Sequence, residues 1–232
     1  MRVQEIFSSI QGEGPDIGKK VVFVRFSGCN LRCSWCDTRE AWYYEKGKEM
    51  TVDEIVDRVY MLKTDYVVLT GGEPLIQNHE QLENLTFNFQ LGKVNVGVET
   101  NGTVRPSDKL LENVNKWVVS PKLQSAYEVW EKEDREDLAE MLDNWLGISE
   151  LHDVTFKFVI HSKKDIRELN KGIEKLNNDR FLDDITWVFQ PEYNNRNDVF
   201  KQLPEWVDNH LDKINSTRVM YLPQIHKDLG LK

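Results

Sequence analysis

Short runs of β-branched and aromatic residues alternate with longer amphipathic segments, and this rhythm constrains the fold more than any other feature of the chain. The runs are VVFVRF (21–26), YVVLT (66–70), VNVGVET (94–100), WVVS (117–120), VTFKFVI (154–160) and ITWVFQ (185–190), and they carry the residue types that fit a pleated, buried surface. Between the first two lies TVDEIVDRVYMLK, where Thr51 and Glu54 form a capping-box pair and Ile55, Val56, Val59 and Leu62 recur at helical spacing. Ser162 and Asp165 open a second helix with an apolar face of Ile166, Leu169, Ile173 and Leu176, and Ser107 is placed to cap DKLLENV. Strand, helix, strand at this period implies parallel strands joined by right-handed crossovers. The expected class is α/β, either an open doubly wound sheet or a partial barrel, with VQEIFSSI (3–10) and TRVMYLP (217–223) as added N- and C-terminal strands.

The most charged stretch, EVWEKEDREDLAEMLDNWL (128–146), is expected as a solvated helix with Leu138, Met141, Leu142 and Trp145 facing inward. No internal repeat, low-complexity tract or linker divides the chain, so one domain spanning 1–232 is expected, with 123–153 as a variable helical region. A formal charge of −9 argues against a nucleic-acid partner, because affinity for a phosphate backbone comes largely from Lys and Arg. The start, MRVQEIFSSIQGEG, lacks the basic and apolar run of a secretory signal, and no stretch is apolar for the roughly 18 residues of a membrane span. These features predict a soluble, cytoplasmic protein acting on a small molecule.

The unusual residues follow directly on the strands. They are the cysteine loop, GGEP (71–74), TNG (100–102), SPK (120–122) and QPEYN (190–194). In parallel α/β folds that edge is where ligands bind.

All three cysteines, Cys29, Cys33 and Cys36, lie in one loop, RFSGCNLRCSWCDT. An odd number so close together cannot build a disulfide framework, which suits a reducing compartment. A structural zinc site wants four ligands, usually as two separated pairs. A redox pair needs only Cys33 and Cys36 and leaves Cys29 idle. A 4Fe-4S cluster normally takes four thiolates, so three leave one iron open. Gly28, the polar insert and the position after a strand favour an exposed loop over a buried helical face.

Cys29-X3-Cys33-X2-Cys36 resembles the signature of the radical S-adenosylmethionine superfamily, whose cofactor chelates the open iron and is cleaved by one electron to a 5′-deoxyadenosyl radical. EIFSSIQGEG (5–14), FVRFSGCNLRCSWCDT (23–38), TGGEPL (70–75), VETNGT (98–103), VSPK (119–122) and PQIHK (223–227) together resemble the 7-carboxy-7-deazaguanine synthase family. That resemblance implies a partial TIM-like barrel of about six parallel strands. It also implies conversion of 6-carboxy-5,6,7,8-tetrahydropterin to 7-carboxy-7-deazaguanine with loss of ammonia, with Mg2+ required and S-adenosylmethionine regenerated. A one-electron donor such as a flavodoxin and a homodimer belong to the same implication.

By the same resemblance, Cys29, Cys33 and Cys36 ligate the cluster and Thr38 the Mg2+. Trp35, Asp37, Gly72, Glu73, Ser120, Pro121 and Lys122 contact S-adenosylmethionine, with Glu73 meeting its ammonium. Ile10, Gln11, Gly12, Arg25 and Thr70 contact the pterin. Plainer alternatives stand beside these roles: a turn at Thr38, a salt bridge for Arg25, a hairpin loop for QGEGPDIG and a proline-imposed strand end at SPK. Gln224 and His226 either reach the site from the tail or stay at the surface, and DLGLK beyond them argues against the chain end entering the site. The rivals are an activase of glycyl-radical enzymes and a non-catalytic zinc or redox protein.

Overall fold

The computed structural model describes residues 1–127, 137–176, 182, 185–211, 213–214 and 218–231. The six expected runs are six neighbouring strands: β2 (Lys20–Phe26), β4 (Tyr66–Gly71), β5 (Asn95–Thr100), β6 (Lys116–Val119), β7 (Val154–Ile160) and β8 (Thr186–Pro191). Three further strands, β1 (Arg2–Ile10), β3 (Lys48–Glu49) and β9 (Val219–Tyr221), complete the order β3-β1-β2-β4-β5-β6-β7-β8-β9. β1 runs antiparallel to both its neighbours, and every pairing from β2 to β9 is parallel. The two edges do not pair, so the sheet is an open, partial barrel.

Each parallel connection is made by a helix: α1 (Val52–Met61), α2 (His79–Leu91), α3 (Asp108–Asn113), α4 (Leu138–Ser149), α5 (Lys163–Glu174) and α6 (Arg196–Asp208). Both capping boxes form, at Thr51 with Glu54 and at Ser162 with Asp165, and Ser107 caps α3. α2 and α6 are additions to the sequence expectation. Phe87 and Leu91 of α2 face solvent and blur its apolar stripe, and Pro204 inside α6 reads as a breaker. Residues 128–136 of the charged stretch lie outside the described residues. Its remainder forms α4, whose Leu138, Met141, Leu142 and Trp145 are buried as expected. Trp145 packs at a tilt against Trp117 and donates its indole N–H to the Gly102 carbonyl at 2.9 Å, so this helix belongs to the core.

Strand alternation sorts the side chains onto two faces. Val24, Phe26, Leu69, Val98, Trp117, Val119, Phe156, Phe158, Trp187 and Phe189 pack against the helices in one hydrophobic cluster. Parity sends Arg25, Thr70, Glu99, Lys157 and Gln190 to the opposite, concave face. Low on that face, Val21, Phe23 and Val68 pack with Phe7 and Tyr66. The turn after β1 folds across the open side, and Asp16 anchors it by accepting from Lys19 (2.6 Å), the Tyr66 hydroxyl (2.9 Å) and Lys116 (3.1 Å). Among the described residues, no helix is long and apolar enough to cross a membrane.

Candidate active site

A cavity of about 640 Å³ opens where the parallel strands end. Its placement follows from backbone contacts between loops. Gly72 N–H donates to the Phe26 carbonyl (3.0 Å) and Glu73 N–H to that of Gly28 (2.8 Å), which ties the loop after β4 to the start of the cysteine loop. A Cβ on Gly72 would overlap the Gly28 carbonyl, and Gly71 sits at φ +127. This approach therefore requires the two glycines.

Cys29, Cys33 and Cys36 are free thiols that line one end of the cavity. Leu31 N–H points at Cys29 Sγ (3.4 Å) and the Trp42 indole N–H at Cys36 Sγ (3.1 Å). Burial pushes the Cys29 thiol up to about 11 and also raises Cys33. That is opposite to the depressed value of a reactive redox pair. Among the described residues, the set of three metal-ligating groups gathered within 4.8 Å is Glu13, Asp37 and His226. Three free thiols on one loop at the cavity wall are the donor set that would hold a 4Fe-4S cluster with one iron left without a protein ligand.

Much of the remaining cavity wall is polar. Gln11 Nε2 and Thr70 Oγ1 both donate to the Glu99 carboxylate at 2.9 Å. Arg25 pairs through Nε with Glu5 (3.0 Å) and lies over the Phe7 ring, so the salt-bridge alternative holds while the residue still lines the cavity. Glu13 accepts from Lys157 and from Gln224. Burial would raise the Glu13 carboxyl, but Lys157, Gln224 and His226 outweigh it and hold it near 2. His226 lies 3.7 Å from Asp37, and Lys227 3.3 Å. Burial would lower the His226 imidazole, yet Asp37 and Glu13 raise it, while Asp37 itself is held low by His226 and Lys227 against the effect of burial.

Of the predicted site residues, Ile10, Gln11, Gly12, Arg25, Trp35, Asp37, Thr38, Thr70, Gly72, Ser120 and Lys122 line this cavity together with the three cysteines. Glu73 and Pro121 do not. The Glu73 carboxylate is fully buried beneath the loops and accepts from Leu75 N (3.0 Å), Thr100 Oγ1 (2.8 Å) and Asn101 N (2.7 Å), so it braces the β4 and β5 loops. Pro121 is buried. Lys122 turns its ammonium back onto Ser120 O (2.9 Å) and Oγ (2.8 Å). Thr38 precedes a 3-10 turn, yet its hydroxyl makes no capping bond. QGEGPDIG is both a hairpin loop, closed by Gln11 N–H to Lys19 O at 2.7 Å, and a cavity wall.

Of the alternatives for Gln224 and His226, the structure has the tail reach the cavity, and Leu231 of DLGLK also lines it. Gln224, His226, Lys227 and Leu231 line the cavity because α7 (Ile225–Asp228) folds back over the β1 turn. Glu13, Glu99, Lys157 and Gln190 were not among the predicted site residues. Lys157 and Gln190 were detectable as polar residues on the inward parity of apolar strands. Gln190 is fully buried, lines the cavity, and neither atom of its amide has a partner among the described residues. An orphaned amide at a cavity wall is what a bound ligand would satisfy.

A parallel sheet whose C-terminal edge carries three thiols on one loop defines a class, and the family model of the radical SAM superfamily matches residues 23–160. The class brings a 4Fe-4S cluster and S-adenosylmethionine. The 7-carboxy-7-deazaguanine synthase of Thermoplasma acidophilum is 34% identical over 229 residues, 98% of this chain and 96% of its own. That of Aquifex aeolicus is 30% identical over 99% of this chain and 94% of its own. That of Hyperthermus butylicus is 39% identical over 76% of this chain and 72% of its own. The chain belongs to the 7-carboxy-7-deazaguanine synthase family. The crystal structure of QueE from Escherichia coli shares the fold, with a TM-score of 0.70 at 22% identity over 96% of this chain and 93% of that one.

Proposed function

We propose that this chain converts 6-carboxy-5,6,7,8-tetrahydropterin to 7-carboxy-7-deazaguanine with loss of ammonia, using S-adenosylmethionine catalytically. The observation that carries this is a single cavity lined both by the three thiols and by polar side chains, built on one sheet edge. Cys29, Cys33 and Cys36 would hold the cluster, leaving one iron free of protein ligands. When bound, the cluster and S-adenosylmethionine supply the adenosyl radical that starts the ring contraction. Trp35, Asp37, Gly72, Ser120 and Lys122 line the cavity beside the thiols and are assigned to the cofactor, and the unpartnered Gln190 amide faces the same space.

Elsewhere on the cavity wall, the chain's own residues bind and orient. The Arg25 guanidinium is assigned to the pterin carboxylate, since a planar fork suits two oxygens. Ile10, Gln11, Gly12 and Thr70 form the wall around Glu99, whose carboxylate is fixed by two donors and is placed to read a donor edge of the heterocycle. Thr38, with its hydroxyl not used in capping, is assigned to Mg2+, which keeps most of its shell as water and substrate oxygen. Free thiols suit a reducing cytoplasm, and a one-electron donor such as a flavodoxin and a homodimeric state complete the proposal.

The test is anaerobic incubation with the tetrahydropterin, a reductant and S-adenosylmethionine. The carboxydeazaguanine chromophore should accumulate without net loss of S-adenosylmethionine, from brown protein holding about four irons and four sulfides per chain. Brown, reducible protein that leaves the pterin unchanged would overturn the assignment.

A further inference from the structure

Trp42 lies outside every motif that carries the family resemblance, yet its indole N–H meets Cys36 Sγ at 3.1 Å, a direct bond to a thiol assigned to the cluster. Two guanidinium groups sit over the same ring, Arg32 at 5.5 Å and Arg39 at 5.6 Å from its centroid. Neither is spent in an ion pair among the described residues. Arg32 donates to the carbonyls of Cys29 (2.6 Å) and Leu31 (2.8 Å), and Arg39 to that of Ser34 (2.5 Å). Both cations are thereby fixed to the cysteine loop itself, in a chain of net charge −9.

We propose that Trp42, with Arg32 and Arg39 on its ring, is a positioning residue that sets the reduction potential of the cluster held by this loop. The inference rests on the assignment of Cys29, Cys33 and Cys36 as its ligands. One-electron reduction adds negative charge to a cluster and its sulphurs. An N–H donor aimed at a ligand sulphur, and cations fixed nearby, favour the reduced form and raise the potential. Burial works in the opposite direction, since a desolvated site penalises added negative charge. The half-buried thiols of this loop are partly in that setting, so the indole and its arginines offset a cost that would otherwise make the site harder to reduce. Only an electron moves: the donor loses one, the cluster gains one, and no covalent bond forms or breaks.

The experiment is an anaerobic redox titration of the reconstituted protein, without pterin or S-adenosylmethionine, following the reduced cluster by EPR. Trp42→Phe keeps the ring and removes the donor. Its midpoint should fall so that, at the parent midpoint, the reduced-to-oxidised ratio drops about tenfold, which is 59 mV for a one-electron couple. Arg39→Gln should move it the same way by less, and Arg39→Lys should restore it. Trp42→Phe protein with full iron and sulfide that titrates at the parent midpoint would refute the proposal. If Trp42→Phe does not retain the cluster, Arg39→Gln decides, and an unchanged midpoint there refutes it equally. The ligand assignment fails separately, by Cys29→Ala, Cys33→Ala or Cys36→Ala protein that keeps a complete cluster.

Discussion

Lys157 shows what a single side chain contributes to this site. It projects from the middle of an otherwise apolar strand, is only 7% exposed, and is bonded to Glu13. Removing one partner of a buried ion pair costs about 3–5 kcal/mol, because the other charge is left desolvated. Lys157→Met should therefore lower stability by about that much at neutral pH, as read by denaturant midpoints. The pH dependence has a definite sign. The Glu13 carboxyl, held near 2 against an ordinary 4.5, stabilises the parent above 4.5, and that contribution is lost as pH falls toward 2. In the variant the burial of Glu13 is unopposed by Lys157, so the stability gap should narrow as acid protonates this group in both proteins. A gap that stays constant from pH 7 to pH 3 would show that Glu13 is not the partner that matters. Arg25, Gln11 and Thr70 were legible in the sequence because the family motifs carry them. Glu99 lies within VETNGT, but its importance was not legible there, since it comes from being bonded by Gln11 of the turn after β1 and Thr70 of β4.

Elements carry the site by how closely their backbones meet. The loops after β2 and β4 touch through Gly28, Gly72 and Glu73, with no space for a side chain at Gly72. Gly72→Ala should push the two loops apart and reduce iron and sulfide retained after anaerobic reconstitution, while far-UV CD still reports an intact sheet. Retention of full cluster content in that variant would show that the loops tolerate separation. The strands and the capped helices α1, α3 and α5 were readable because their signals are local: β-branched runs, Thr51 with Glu54, Ser107, Ser162 with Asp165. α2 and α6 were not, because a helix with exposed Phe87 and Leu91, or with Pro204 inside it, is stabilised by packing against the sheet rather than by its own pattern.

At the scale of the whole molecule, the rhythm of strands and helices was enough to give a parallel sheet with its ligand edge. What it could not give was how the open side is covered. Gln224 reaches Glu13 across 211 residues, and Ile225 N–H donates to the Gly12 carbonyl at 3.1 Å. Contacts of that separation leave no local trace in a sequence. Ile225→Pro is a fine probe, since proline is tolerated at the first position of a helix but has no N–H to give Gly12. It should cost about 1 kcal/mol of stability and raise KM for the pterin several-fold, with cluster content unchanged. An unaltered KM would remove the tail from the substrate wall.

The meeting of the β1 turn with α7 makes one wall of the cavity from opposite ends of the chain. A proteolytic nick just after Tyr221 would leave the paired strands, their crossover helices and all three thiols where they are, and would cut loose only the clasp. Such protein should stay brown and lose turnover. Colour and catalysis, usually lost together in an oxygen-sensitive enzyme, would here come apart.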